Sequence, residues 1–170
     1  MLRLDLARLE REGSVQLQAE VPADDPLWEG TGLGFESPVS VSLRAQIVGS
    51  GEIVVRGRVR GVVRSECRRC LDPVRTEVKE DLTFVYTPED TLAGDEADVR
   101  PIPTRARELD VGEAVREELM LNVDPFVLCD PGCKGLCPRC GANWNQQSCD
   151  CVGEELDPRW DVLRRALKNE

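Results

Sequence analysis

Residues 129–151 read CDPGCKGLCPRCGANWNQQSCDC, six cysteines in 23 positions. Two more, Cys67 and Cys70, stand well upstream, and the chain contains no histidine. A Ser-His-Asp triad, a Cys-His pair and any histidine-ligated metal are thereby excluded. The late cluster spaces as C-x3-C-x3-C-x2-C-x8-C-x-C. Within it, Cys137-Pro138-Arg139-Cys140-Gly141 has the form of a knuckle turn. The two-residue gap lets both thiolates reach one ion while backbone N–H groups point at the sulfurs, and a glycine after the second cysteine tolerates a left-handed backbone. Cys149 and Cys151 complete a tetrahedral set of four thiolates, with the polar segment 141–148 as a ribbon tip. Such a closed set leaves no position for water or substrate, so it is structural chemistry.

Cys67, Cys70, Cys129 and Cys133 remain, as one C-x2-C and one C-x3-C. They suit a second four-cysteine site that ties a hairpin end to the segment before the knuckle. Other readings stay open. Cys129 or Cys133 could serve the late site instead. Cys67 and Cys70 could be two half-buried thiols at a strand end, or a redox dithiol. The redox reading wants a helix N-terminus beneath the first thiol, whereas Cys67 follows a strand and precedes Asp72-Pro73. Zinc is the expected metal, two ions or one, with iron as an all-thiolate alternative. Structural zinc contributes an apparent ~10–16 kcal/mol in small modules, against about 5–15 kcal/mol for whole domains. Residues 126–156 hold few apolar side chains, so this segment is expected to unfold without metal.

Composition bounds the rest. At 170 residues the chain can bury a core without disulfides. The start, MLRLDLARLEREG, lacks an apolar run of signal-peptide length, and no stretch approaches the ~20 apolar residues of a membrane span. A cytoplasmic, membrane-free protein with reduced thiols is expected. The net charge of −10 argues against non-specific nucleic-acid or membrane binding through overall charge.

Strands must position the early cysteines. Val39, Val41, Leu43, Ala45 and Ile47 alternate with polar residues over 39–47. After Gly49-Ser50-Gly51, residues 52–66 alternate again, so 39–66 predicts a long hairpin. Gly57 and Gly61 interrupt its apolar face and predict a bend or bulge. A third strand is predicted over about 74–86, with Val74, Val78, Leu82, Phe84 and Tyr86 on one face, and a weaker one over 13–21. Residues 87–104, rich in proline and acid, read as a mobile loop. A helix is predicted over 110–121, with Asp110 and Glu113 as a capping-box-like start and Val111, Ala114, Val115 and Leu119 on its buried face. Asp157-Pro158 opens a short last helix carrying Trp160, Leu163 and Leu167.

The second hairpin arm also carries a basic stripe. Arg56, Arg58, Arg60 and Arg64 share a face, because residues two apart do so in a strand. Arg68, Arg69 and Arg75 follow, making seven arginines against three acids over 51–75. Arginine makes bidentate phosphate contacts, and RNA is gripped largely through its backbone and 2′-hydroxyls. The plainer reading is a solvated face paired with Glu77, Glu80 and Asp81 on the next strand. Arg68, Arg69, Lys134 and Arg139 would equally offset the formal −2 of a zinc centre with four thiolates.

LDVGEAVREELML (109–121), the cysteine run CDPGCKGLCPRCGANWNQQSCDC, DPRWDVLRRAL near the end and the Cys67-Arg68-Arg69-Cys70-Leu71 step together resemble the YceD-like family, whose domain was first catalogued as one of unknown function. The resemblance covers roughly 50–170 and is most specific at CKGLCPxCGxN. Trp144 departs from it, standing where an aliphatic residue is expected. The resemblance implies a cytoplasmic factor for large-subunit (23S) rRNA accumulation and ribosome assembly, not an enzyme. Its partners would be that rRNA or a pre-ribosomal particle, with ribosomal proteins as further candidates. It also implies metal ligation by Cys67, Cys70, Cys129, Cys133, Cys137, Cys140, Cys149 and Cys151.

The expected fold is α+β. An antiparallel sheet, able to curl toward a barrel, packs against the helix within residues 1–125. A four-cysteine ribbon (126–156) and a C-terminal helix (157–170) complete it. Two other function classes stay open, a protein–protein adaptor with an acidic surface and a thiol or rubredoxin-like redox protein.

Overall fold

In a computed structural model, the described residues are 2–49, 51–89, 99–151, 158–160 and 166. The chain opens with strand β1 (Arg3–Asp5) and helix α1 (Leu6–Glu12). Asp5 caps α1 by accepting the Arg8 N–H at 2.9 Å, and Gly13, at φ 70°, ends it. Strands β2 (Ser14–Val21), β3 (Gly34–Phe35), β4 (Val39–Val48), β5 (Glu52–Glu66), β6 (Pro73–Pro88), β7 (Val99–Ile102) and β8 (Glu108–Asp110) follow, then helix α2 (Gly112–Asn122). The main sheet runs β2-β4-β5-β6-β7, with β3 also on β5, and β1 pairs β8 separately. All pairings are antiparallel except β6 with β7. The fold is mixed α+β with an open sheet, and no barrel closes among the described residues.

The alternation read from the sequence sets the buried face. Val39, Val41, Leu43 and Ala45 of β4, Val55, Val59 and Val63 of β5, and Val78, Leu82 and Phe84 of β6 are all buried. Leu6 and Leu9 of α1 and Ala114, Val115 and Leu119 of α2 complete the same core, with Leu4 and Leu109 from the small sheet. Aspartate and proline at 124–125 follow α2, where the residue before a proline disfavours helix. Among the described residues no helix is long and apolar enough to cross a membrane.

Several expectations are corrected. No bulge forms at Gly57 or Gly61, because β5 stays in one register with β6 from Ile53↔Tyr86 to Glu66↔Pro73. Gly57 instead permits close approach: a Cβ there would lie 2.0 Å from the Ser42 carbonyl oxygen. The segment 87–104 is partly strand, since Thr87 and Pro88 extend β6 and Val99–Ile102 add a parallel edge strand; residues 90–98 lie outside those described. Asp110 belongs to β8 and accepts the Gly112 N–H at 2.8 Å. Glu113 pairs with Arg116, so no capping box forms. Strand β1 and helix α1 carried no expectation. Of the last helix only a 3₁₀ turn over Pro158–Trp160 and the helical residue Ala166 are described; Asp157, Leu163 and Leu167 lie outside the described residues.

Candidate metal centres

The far ends of β5 and β6 are joined by the turn Cys67–Asp72. Its backbone closes with Cys67 N–H donating to the Asp72 carbonyl at 2.8 Å and Leu71 N–H to the Cys67 carbonyl at 2.9 Å. The late knuckle repeats this pattern. Cys137 N–H donates to the Ala142 carbonyl at 2.8 Å and Gly141 N–H to the Cys137 carbonyl at 2.9 Å. Gly141 has φ 71° and Leu71, its counterpart, φ 62°. The two C-x-x-C turns are thus the same device, although only one carries the glycine.

The sulfurs gather in two groups, Cys67/Cys70/Cys129/Cys133 and Cys137/Cys140/Cys149/Cys151, the atoms of each within 4.8 Å of one another. Four thiolates about 2.3 Å from a tetrahedral zinc stand about 3.8 Å apart. Cys67 and Cys133 sulfurs are 3.7 Å apart and Cys70 and Cys129 sulfurs 3.4 Å, well beyond a disulfide bond of about 2.05 Å. Each group could therefore hold a metal ion. The partition that leaves Cys67 and Cys70 without the late cysteines does not occur. The first group is buried except for Cys129, with Val74, Leu128 and Leu136 packed against it. The chain after α2 reaches it because Arg68 N–H donates to the Val127 carbonyl at 3.0 Å.

Residues outside the cysteine pattern serve the sulfurs. Asn145 Nδ2 donates to Cys133 Sγ at 3.2 Å, while its Oδ1 accepts the Lys134 N–H at 2.8 Å. Asn143 Nδ2 donates to Asp72 Oδ2 at 2.9 Å, an oxygen that also takes the Cys70 thiol at 3.3 Å. Both asparagines lie in the loop of the second group yet serve the first, Asn145 directly and Asn143 through Asp72. Trp144, between them, turns the other way and donates Nε1–H to Cys149 Sγ at 3.4 Å. The residue that departs from the family pattern thus touches a sulfur of the second group. A polar ribbon tip was legible in sequence; its reach back to the other group was not.

Electrostatics favours a cation in both places. Burial opposes ionisation of Cys67, yet the N–H groups of Cys129, Cys70 and Arg69 outweigh it and hold the thiol down to about 6. The N–H groups of Cys140 and Arg139 hold Cys137 down to about 6. Burial, and after it the neighbouring thiols, raise Cys70. The thiols of Cys140 and Cys137 push Cys151 up to about 12. Each group thus sets a ready thiolate beside a thiol whose ionisation is opposed, Cys67 beside Cys70 and Cys137 beside Cys151, and a bound cation favours the ionised form of all four.

The arginines separate into two sets. Arg69 Nη1 donates to the Cys133 carbonyl at 2.9 Å, and Arg68 lies 4.7 Å over the Phe126 ring. Both help hold the first group to the segment beyond α2. Arg56, Arg58, Arg60 and Arg64 stand exposed along β5, on the face opposite the core. Of the three acids expected to pair with them, Asp81 alone does so, meeting Arg58 at 2.7 Å. Glu77 pairs with Lys79, and Glu80 is opposite Val59, on the core side of the sheet.

Residues 55–167 match the family model described as Large ribosomal RNA subunit accumulation protein YceD. An uncharacterized protein of Mycobacterium tuberculosis is 27% identical over 173 residues, covering 99% of this chain and 83% of the relative. The Large ribosomal RNA subunit accumulation protein YCED homolog 1, chloroplastic, of Arabidopsis thaliana is 26% identical over 154 residues, 75% of this chain and 48% of the relative. The protein of the same name from Zea mays is 27% identical over 178 residues, 88% of this chain and 60% of the relative. No solved structure matches the chain.

Proposed function

The chain belongs to the YceD family of large ribosomal RNA subunit accumulation proteins, and from that membership we propose that it is a zinc-binding accessory factor in large-subunit (23S) rRNA processing and ribosome assembly. It works in the cytoplasm, where its thiols stay reduced, and it acts by binding and chaperoning rather than by catalysis. Its partner is large-subunit rRNA or a pre-ribosomal particle. The observation that carries this reading is the family match over a segment containing both four-sulfur groups. Each group would hold one zinc, through Cys67, Cys70, Cys129 and Cys133 and through Cys137, Cys140, Cys149 and Cys151. Four thiolates fill a tetrahedral zinc, so the metal would supply structure. The first would fasten the ribbon to the tip of β5 and β6, and the second would close the ribbon on itself.

Metal analysis of the purified chain should find two zinc ions. Iron would break the zinc assignment, and a single ion would break the two-site assignment. Cells depleted of the protein should lose large-subunit rRNA relative to small-subunit rRNA. Wild type should restore the ratio, and a Cys67→Ser/Cys137→Ser variant should not. An unchanged ratio on depletion would sink the functional reading. A second reading, an adaptor that docks on basic ribosomal proteins, is favoured by the net charge of −10; co-purification that survives ribonuclease would select it.

A further inference from the structure

The strand register places cations directly opposite cations on the solvent face of the main sheet. Arg44 of β4 is opposite Arg56. On the other side of β5, Arg60 is opposite Lys79 and Arg64 opposite Arg75. Like charges in direct cross-strand register destabilise a sheet. Composition does not force the arrangement, because the chain has 32 acidic residues against 22 basic ones. Nearby acids relieve one cation in two of these three pairs and neither cation of the Arg44–Arg56 pair. Asp81 takes Arg58, Glu36 takes Arg75 and Glu77 takes Lys79. Arg44, Arg56, Arg60 and Arg64 make no salt bridge or side-chain hydrogen bond among the described residues.

We infer that this face docks on the phosphodiester backbone of RNA, with Arg44, Arg56, Arg60 and Arg64 as the contact residues; the inference rests on the rRNA reading above and gives it a surface. Along β5, Arg56, Arg60 and Arg64 stand four residues apart, about 13 Å, a spacing suited to alternate phosphates of one strand. Each guanidinium can bridge two phosphate oxygens. Ser40 and Ser42 of β4 and Thr83 of β6 lie opposite Arg60, Arg58 and Arg56 and add hydroxyl donors of the kind that position a backbone. The strand positions of this face carry no aromatic side chain. The aromatic rings on which most single-strand readers stack bases are therefore absent from it. The face grips backbone without selecting bases.

The test measures binding of the zinc-loaded full chain to a labelled RNA duplex of mixed sequence, as a function of salt, with polyglutamate as a competitor. Arg56→Gln/Arg60→Gln should weaken duplex binding and flatten the slope of log affinity against log salt by roughly 1.4–1.8, at about 0.7–0.9 per phosphate contact. The same variant should unfold at a higher temperature, since it removes opposed like charges. Arg8→Gln/Arg11→Gln, which makes the same charge change on α1, should leave the slope unaltered. Equal slopes for the two variants would overturn the face. Polyglutamate competing as well as RNA would overturn it in favour of an acidic protein partner. Wild type that fails to associate with pre-ribosomal particles in cells would remove the rRNA reading itself. Particle association that the face variant retains would remove only the face.

Discussion

Asn145 and Trp144 are neighbours in sequence, but each points at a sulfur of a different four-cysteine group. Replacing them one at a time should therefore loosen different metals. Asn145→Ala removes the only described side-chain N–H to the Cys133 sulfur, a contact of 3.2 Å. A hydrogen bond to a charged acceptor contributes about 1.5–3 kcal/mol, and such supporting contacts typically alter metal affinity about 10–100-fold. At about 1.4 kcal/mol per tenfold the two figures agree. Asn145→Ala should thus weaken the metal of Cys67, Cys70, Cys129 and Cys133 by about 10–100-fold and leave the other nearly unchanged. Trp144→Phe should do the reverse, by about tenfold or less, because its contact is longer at 3.4 Å. The assay is zinc transfer to a chromophoric chelator, with iodoacetamide alkylation and mass spectrometry to show which cysteines become reactive as zinc leaves. If Asn145→Ala releases both metals equally, or exposes Cys137, Cys140, Cys149 and Cys151 first, the assignment of this asparagine to the first group is wrong.

Gly57→Ala should destabilise the fold by about 3 kcal/mol or more, since its Cβ meets backbone at 2.0 Å where overpacking cannot relax. Gly61→Ala meets only Phe35 and Val39 side chains at 3.3–3.4 Å and should cost about 1 kcal/mol or less; denaturant melts that rank the two equally would refute the close-approach argument. Burial pushes the Tyr86 hydroxyl up to about 12. The unfolded chain ionises this group near 10, so its contribution is whole below that value and is lost as pH rises toward the folded value. The loss amounts to about 2–3 kcal/mol. Tyr86→Phe should remove that part of the decline in urea titrations at alkaline pH, and identical declines in both proteins would contradict it. Zinc removal by a chelator should abolish amide protection around Cys67–Asp72 and through 129–151 while the sheet stays protected, because the first sulfur group packs in a cluster separate from the main core. Uniform loss of protection across β4 and β5 would show instead that the fold is one metal-dependent unit.

Much of this protein is legible from local pattern. Period-two alternation placed β4, β5 and β6 and assigned their buried sides, because a strand turns successive side chains to opposite faces whatever surrounds it. Helix α2 was legible in its buried residues, Val111, Ala114, Val115 and Leu119. The first helix went unread, although Asp5 and Gly13 are ordinary cap residues; seven residues give a weak periodic signal. Cysteine spacing identified two sets of four thiols but left a competing partition open.

What remained was non-local. The sulfurs of Cys129 and Cys133 meet those of Cys67 and Cys70 because the segment after α2 folds back onto the turn between β5 and β6, anchored at Val127. Parity alone put Arg56, Arg58, Arg60 and Arg64 on one face. Register decided which of them meets an acid and which meets another cation, since sliding β6 by two residues would keep every face and change every partner. Sequence period determines sides. The tertiary structure determines opposites, because cross-strand neighbours are chosen by where distant segments align.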